Sequence, residues 1–233
     1  MIAALDILKE LKKKQLSGIK SLAILLDPDK IEVEYLHHWL NKIPKETDYI
    51  FVGGSMVENG KTDNVVKALK LICNLPVILF PGDVNQISSN ADALLFLSLM
   101  SGNNPEYLIG QQLKSVKHLR NSSLEIIPTS YILIDGGKTC TTEKVTKTKA
   151  IPQSDIEKIT DIALAAQYSG KQLIYLEAGS GAKFPVDPEI ISEVRNTVNI
   201  PIIVGGGIRS IETMQKAYST GADVVVMGTI FEN

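Results

Sequence analysis

The sequence predicts an α/β fold, a modified (βα)8 TIM barrel formed by one domain that spans residues 1–233. Eight short apolar runs recur along the chain, and amphipathic segments separate most of them. One barrel of this class commonly has about this length. A doubly wound sheet is the weaker alternative, because the two glycine-rich stretches come late and neither completes a GxGxxG pattern after the first run.

The apolar runs, rich in Val, Ile and Leu, are predicted as the eight strands. They do not alternate apolar and polar residues, which indicates burial on both faces, as in a parallel sheet. The runs cover residues 21–27, 48–53, 76–80, 91–97, 124–129, 172–178, 200–205 and 223–228.

The segments between the runs predict the outer helices, at residues 34–41, 63–73, 104–120, 153–169, 188–198 and 211–220. The N-terminal stretch MIAALDILKELKKK predicts another amphipathic helix, because charged residues interrupt the apolar segment that a signal peptide needs. Residues 81–90 are too few for a helix that packs back on the sheet. The helix between the third and fourth strands is therefore expected to be reduced or missing, which leaves that flank thin.

Two further segments depart from the repeat. Residues 139–149, TCTTEKVTKTK, are polar and are interpreted as a mobile loop on the active-site face, or as a solvated connection without function. The chain stops at Asn233, just past the eighth run, so the final outer helix is expected to be absent from this chain.

Charge and cysteine content exclude several functions. With 24 basic and 26 acidic side chains, the net charge of −2 gives no field that attracts nucleic acid or an anionic membrane. The two cysteines form no CxxC pair, so neither a disulfide framework nor a zinc site is expected, and a cytoplasmic location fits. No apolar stretch is long enough for a transmembrane span.

Glycines cluster at the carboxyl ends of the last three strands, where a barrel of this class has its active site and often its phosphate site. Backbone N–H groups hold the anion there, and glycine lets the backbone approach closely. The alternative is that these glycines only form tight turns. The residues are Gly179, Ser180 and Gly181, then Gly205, Gly206 and Gly207, and finally Gly228 with Thr229.

Glu177 ends the sixth run, which reads LIYLEAG. A carboxylate at this position lies in the barrel mouth or is buried without a partner, and the second arrangement costs too much free energy. Glu177 is therefore interpreted as a general base, with a structural ion pair as the alternative. Tyr175 points to the same side of the strand, where it binds substrate or packs.

Asp27 ends the first run and Ser55 follows the second, and both offer the hard oxygen ligands that Mg²⁺ prefers. An N-cap for the following helix is the alternative role of Asp27. The three histidines, His37, His38 and His118, fall on predicted outer helices, where packing or surface roles are expected rather than catalysis.

Five motifs in order along nearly the whole chain resemble the geranylgeranylglyceryl phosphate synthase family, which includes heptaprenylglyceryl phosphate synthases. They are LLDPDK, FVGGS, YLEAGSG, VGGGI and MGT. The segment PGDVNQISSNADALLFLSLMSGNNPEYLIGQQ resembles the second group of that family, with archaeal and Bacteroidetes members. The resemblance implies a Mg²⁺-dependent prenyltransferase. It would join the 3-hydroxyl of sn-glycerol 1-phosphate to geranylgeranyl diphosphate and release diphosphate.

The resemblance also implies a role for each matching residue. Asp27 and Ser55 would bind Mg²⁺. Glu177 would deprotonate the glycerol 3-hydroxyl, with Tyr175 also catalytic. A homo-oligomer is expected, because dimers and hexamers occur in the family. Glycerol phosphate would be bound by Tyr175, Leu176, Glu177, Ala178, Gly179, Ser180, Gly181, Gly205, Gly206, Gly207, Gly228 and Thr229.

Alternative functions stay open at this point. They are a heptaprenylglyceryl phosphate synthase using a longer prenyl diphosphate, a phosphosugar-handling barrel isomerase, and a non-catalytic lipid-binding barrel. For a prenyl substrate, the tail is expected in a groove along residues 81–90 and 94–100, because the barrel interior is filled by its own side chains. A bulky replacement such as Ser98→Trp should shorten the longest chain accepted if this side chain faces the groove.

Overall fold

The computed structural model describes residues 6–228 and Phe231. Eight parallel strands form a closed barrel in sequence order, and the eighth pairs with the first to close it. This confirms the predicted fold. The strands are Ser21–Leu26 (β1), Thr47–Val52 (β2), Val77–Leu79 (β3), Ala93–Leu99 (β4), Glu125–Leu133 (β5), Leu173–Glu177 (β6), Ile202–Gly205 (β7) and Val224–Met227 (β8).

The predicted outer helices are present, with boundaries that local sequence signals explain. Asp187 caps the helix that begins with Pro188, and the Ser210 side chain accepts a hydrogen bond from the Thr213 amide. The helices are Ile7–Leu16 (α1), Leu36–Lys42 (α2), Lys61–Ile72 (α3), Gln111–Leu119 (α4), Thr141–Thr146 (α5), Ile156–Tyr168 (α6), Pro188–Thr197 (α7) and Ile211–Ser219 (α8).

The strands separate two apolar cores because successive side chains point to opposite faces. One core fills the barrel interior and contains Tyr49, Phe51, Tyr131 and Tyr175. The other lies between the barrel and the helices. The N-terminal helix α1 adds Ile7 to the interior core, which closes the end of the barrel opposite the active site. None of the described helices is long and apolar enough to cross a bilayer.

The connection between β3 and β4 has no α-helix, as expected from its length. It contains only a three-residue 3-10 helix, Val84–Gln86. The helical layer resumes after β4 with a π-helical turn, Glu106–Gly110, that leads into α4. Residues 81–90 and α4 therefore face each other across a part of the barrel flank that no full helix covers.

Three expectations are corrected or lie outside the structure. Residues 139–149 are not simply a loop, because they contain α5, which begins after Cys140 and is stabilised by hydrogen bonds to the Glu143 carboxylate. The fifth strand continues four residues past its predicted end at Thr129, to Leu133. The final helix was expected to be absent after the eighth strand. After Gly228 the structure describes only Phe231, so this expectation lies outside the described residues.

Candidate functional site

Glu177 is the last residue of β6 and lies in the barrel mouth, as expected. Its side chain is 6% exposed. The backbone pairs with Leu133 of β5 on one side and Gly205 of β7 on the other. The carboxylate accepts a hydrogen bond of 2.7 Å from the Gly179 amide. No lysine or arginine forms an ion pair with it among the described residues, so the structural ion-pair interpretation is not supported.

Glycines after β7 make room for this carboxylate. A Cβ on Gly205 would lie 2.8 Å from Glu177 Oε2, and a Cβ on Gly206 would lie 2.5 Å from Oε1. Gly206 also has a φ of +82°, which side-chain-bearing residues rarely adopt. The glycine cluster is therefore required by Glu177 itself, a reason that the sequence pattern alone did not reveal.

Burial shifts the pKa values of three side chains in the barrel mouth, Glu177, Tyr131 and Tyr175. It raises the pKa of Glu177 to about 7, against the opposing effects of the Gly179 N–H and Tyr175 hydroxyl donors. Burial and the nearby Glu177 charge also raise the pKa of Tyr131 and Tyr175 well above the ordinary value, so both phenols stay protonated. The Tyr175 hydroxyl is buried beside the Glu177 carboxylate: a Cβ on Gly205 would lie 2.6 Å from this hydroxyl and 2.8 Å from Glu177 Oε2.

The predicted phosphate-binding residues contribute in different ways. Leu176 and Ala178 direct their side chains into the outer core, so only their backbone faces the mouth. Ser180 is exposed, and Gly228 lies at the end of β8 beside Leu25. Thr229 lies outside the described residues. Within the described chain, the amides of Gly206 and Gly207 have no hydrogen-bond acceptor, as an anion site requires.

Lys138 is a candidate phosphate ligand that the sequence analysis missed. Its ammonium lies 3.8 Å from the position of a Cβ on Gly181. It is exposed and forms no ion pair with a described residue. The segment Asp135–Gly136–Gly137 places it there, immediately after β5. These glycines at a strand end were the available signal, but the predicted strand stopped too early for them to be noticed.

Asp27 lies next to the loop that carries Ser55, on the other side of the mouth. A Cβ on Gly54, next to Ser55, would lie 3.1 Å from the Asp27 carboxylate. Asp27 also caps a 3-10 helix through the Asp29 amide and lies 3.7 Å from the Lys30 ammonium. Both sequence interpretations of Asp27 are thus compatible with its position. The described residues contain no cluster of three or more acidic, His or Cys ligands.

Two further residues position Ser55 and were missed from the sequence. Gln86, in the short β3–β4 connection, is buried and makes two hydrogen bonds to the backbone of Gly54, of 2.8 and 3.1 Å. Thr142, on α5, lies 3.1 Å from the Ser55 hydroxyl. No sequence pattern marks Gln86, and Thr142 falls in the segment that was interpreted as a loop.

An apolar cleft begins at Gly54 and Ser55 and runs down the thin flank. Its volume is about 850 Å³, which includes the open mouth. The β3–β4 connection forms one wall, α4 the other, and β4 the floor, as expected for a groove on this flank. The lining residues include Phe80, Val84, Ile87, Leu94, Phe96, Leu97, Tyr107, Gln112, Ser115, Tyr131 and Val145.

Ser98 does not line the cleft. Its hydroxyl accepts hydrogen bonds from Lys171 Nζ at 2.6 Å and Gln112 Nε2 at 3.0 Å. Ser115, which does line the cleft, is the better probe of its length. The histidines lie on outer helices as predicted, with His37 and His38 in α2 and His118 in α4.

Comparisons with known proteins find similarity to geranylgeranylglyceryl phosphate synthases over nearly the whole chain. The PcrB family matches residues 15–233. A geranylgeranylglyceryl phosphate synthase of Zunongwangia profunda is 52% identical over 214 residues, 92% of each chain. The Thermococcus kodakarensis synthase is 43% identical, over 90% of this chain and 83% of its own. A crystal structure of the Thermoplasma acidophilum synthase with its substrate sn-glycerol-1-phosphate aligns with a TM-score of 0.89 at 35% identity, over 98% of this chain and 92% of that one.

The burial of Glu177 predicts a pH-dependent effect of Glu177→Gln on stability. Below pH 4.5 the carboxyl is protonated in both states. Between pH 4.5 and about 7 only the unfolded chain releases the proton, so the free energy of unfolding of the wild type falls relative to the variant. The difference should grow by about 3 kcal/mol over this range and then level off. Urea unfolding across the pH range measures it; a pH-independent difference would contradict the burial argument.

Proposed function

The chain belongs to the PcrB family, and we propose that it is a prenyltransferase that acts on sn-glycerol 1-phosphate and geranylgeranyl diphosphate. The products are geranylgeranylglyceryl phosphate and diphosphate. The proposal rests chiefly on the position of Glu177, a buried carboxylate between the glycine loops and the head of the apolar cleft. The crystal structure of the Thermoplasma acidophilum relative with sn-glycerol-1-phosphate supports the choice of acceptor.

Glycerol phosphate is assigned to the glycine loops. The unpaired amides of Gly206 and Gly207 bind its phosphate, and Lys138 supplies a positive charge beside Gly181. The buried Tyr175 hydroxyl donates to an oxygen of the glycerol. These contacts hold the 3-hydroxyl near Glu177, in a geometry from which it attacks.

Glu177 acts as the general base. A carboxyl with a pKa of about 7 is partly ionised near neutral pH, and it accepts the hydroxyl proton more readily than an ordinary carboxylate does. The glycerol oxygen then attacks C1 of the prenyl chain, and the bond between C1 and the diphosphate breaks. The Gly179 amide keeps the carboxylate oriented toward the mouth.

The oxygen donors of Asp27 and Ser55 suit Mg²⁺, which commonly takes one or two carboxylates and completes its shell with water and substrate phosphates. When bound, Mg²⁺ neutralises charge on the diphosphate leaving group. Gln86 and Thr142 hold the loop that carries Ser55.

The prenyl tail is assigned to the flank cleft. The cleft starts at Ser55, where the diphosphate is expected, and its walls are mainly apolar. Burial of each methylene contributes about 0.8 kcal/mol, so the tail supplies much of the affinity. A phosphosugar isomerase acts on a small polar substrate, which would not fill an apolar cleft of this kind.

Glu177→Gln should lower turnover by about 10²- to 10⁴-fold, because the amide keeps the size of the side chain but removes the base. Binding of glycerol phosphate should change little. Mass spectrometry of the prenylated product and diphosphate release measure turnover, and calorimetry measures binding. Glu212→Gln, on exposed residue Glu212 of α8, is the matched control. Near-normal turnover of Glu177→Gln would remove Glu177 from the mechanism.

Asp27→Asn should raise the Mg²⁺ concentration needed for half-maximal activity, because a charged hard ligand becomes neutral. The amide oxygen can still accept from the Asp29 amide, so the 3-10 helix should remain capped. Glycerol phosphate affinity without metal should match the wild type. An unchanged Mg²⁺ requirement would leave Asp27 with the capping role alone.

Lys138→Gln should raise KM for glycerol 1-phosphate by roughly tenfold with little change in kcat, because a charge-assisted contact made equally in the ground and transition states is lost. Lys183→Gln, on a nearby exposed lysine, is the matched control. The KM difference should shrink at high salt. Equal KM values for both variants would exclude Lys138 from the phosphate site.

Ser115→Phe should shorten the longest prenyl chain that the enzyme accepts. Ser115 lines the cleft and is 5% exposed, so the larger ring must enter the groove. Affinity should fall about fourfold for each methylene displaced. Leu113→Phe, on the exposed side of the same helix, is the control. Products from a ladder of prenyl diphosphates measure the limit; an unchanged ladder for Ser115→Phe would place the tail elsewhere.

A further inference from the structure

Four aromatic rings form a connected cluster where the cleft meets the barrel mouth. Phe80 stacks on Tyr175 with their centroids 4.9 Å apart and their planes 4° from parallel. Tyr131 contacts both rings, at 5.8 Å from Phe80 and 5.5 Å from Tyr175. Phe51 lies behind Phe80, with a centroid distance of 6.4 Å. Only Phe80 and Tyr131 of the four line the cleft.

The position of these two rings is chemically specific. Ser55 and Gly54, at the diphosphate end, line the same part of the cleft as Phe80 and Tyr131. On the other side, both rings contact Tyr175, whose hydroxyl lies beside the Glu177 carboxylate: a Cβ on Gly205 would lie 2.6 Å from that hydroxyl and 2.8 Å from Glu177 Oε2. Phe80 and Tyr131 therefore lie between the leaving-group end and the base. Under the proposed function, C1 of the prenyl chain exchanges its bond to diphosphate for a bond to the glycerol oxygen between these two ends, and therefore next to these two rings.

We infer that Phe80 and Tyr131 stabilise the positive charge that develops on the allylic carbon C1 during prenyl transfer. This inference rests on the proposed function and deepens it. The C1–oxygen bond to diphosphate breaks, and its electron pair leaves with the diphosphate. The glycerol oxygen forms the new bond to C1, and its proton passes to the Glu177 carboxylate. Between these events, C1 and C3 of the allyl group share the positive charge.

Aromatic faces suit this task better than other side chains. The negative face of a ring attracts a cation without offering a lone pair that would trap it. Aliphatic side chains at the same place would give no such attraction, and a buried carboxylate other than the base would compete as a nucleophile. The stack on Tyr175 holds Phe80 in one orientation, so its interaction with the allyl group requires no rearrangement.

The test replaces Phe80 by phenylalanines that carry one, two and three ring fluorines, which weaken the negative face while nearly preserving ring shape. The single-turnover rate of prenyl transfer should fall progressively along the series, by roughly tenfold in total for a desolvated cation–π contact. Phe80→Leu should be at least as slow as the most fluorinated ring. Thermal unfolding of each variant verifies that the fold is kept.

The same fluorinated series at Phe51 is the matched control, because this ring is 2% exposed and does not line the cleft. Its rates should stay level. Equal rates across the Phe80 series, or the same slope at Phe51 and Phe80, would overturn the inference. Tyr131→Phe should keep most of the rate, since it retains the ring face, whereas Tyr131→Leu should lose it. A wild-type protein that forms no prenylated product would instead refute the proposed function.

Discussion

Burial of the Glu177 carboxylate at the end of β6 is the constraint on which the rest of the site depends. An ionised carboxylate in an apolar barrel mouth needs a donor and space, and the structure provides both. The Gly179 amide donates, and Gly205 and Gly206 leave the room that any Cβ would take. Gly206, together with Gly207, also carries the backbone amides that are proposed to bind the phosphate. The loop after β7 thus makes room for the buried carboxylate and supplies the proposed anion donors.

The missing helix between β3 and β4 has two consequences that belong together. Without that helix, the flank on which the apolar cleft lies is open. The short connection in its place contains Gln86, which holds the Gly54 backbone beside Asp27. The wall of the cleft is therefore covalently continuous with Gln86, which positions the loop that carries Ser55. Under the proposed function, this continuity brings the diphosphate to the head of the cleft, where Phe80 and Tyr131 face the reacting carbon.

The barrel could be predicted because each strand is a compact apolar run buried on both faces. The missing helix could be predicted because the ten residues between β3 and β4 are too few for a helix that packs on the sheet. Glu177, Asp27 and the glycine clusters were also visible, since strand ends converge at one mouth. Lys138 was not, because the predicted fifth strand ended at Thr129, while β5 continues to Leu133. Pro128 lies inside β5, where its carbonyl accepts a hydrogen bond from the Gln172 amide.

The roles of Gln86 and Ser98 depend on side-chain direction and on contacts between distant segments, which no local pattern encodes. Ser98 was predicted to affect the groove if its side chain faced it. Its hydroxyl instead accepts hydrogen bonds from Lys171 and Gln112, and Ser98 does not line the cleft. Gln86 has no neighbouring motif at all. The aromatic cluster joins β2, β3, β5 and β6, and it becomes visible only when the register between those strands is known.

Whether Glu177 joins the two substrate sites is tested most directly by a crystal structure with sn-glycerol 1-phosphate and an unreactive thio analogue of geranylgeranyl diphosphate. We expect the phosphate on the amides of Gly206 and Gly207, the 3-hydroxyl within hydrogen-bonding distance of a Glu177 carboxylate oxygen, and the tail in the cleft between Ile87 and Ser115. A 3-hydroxyl remote from Glu177, or a tail on the opposite flank of the barrel, would contradict it.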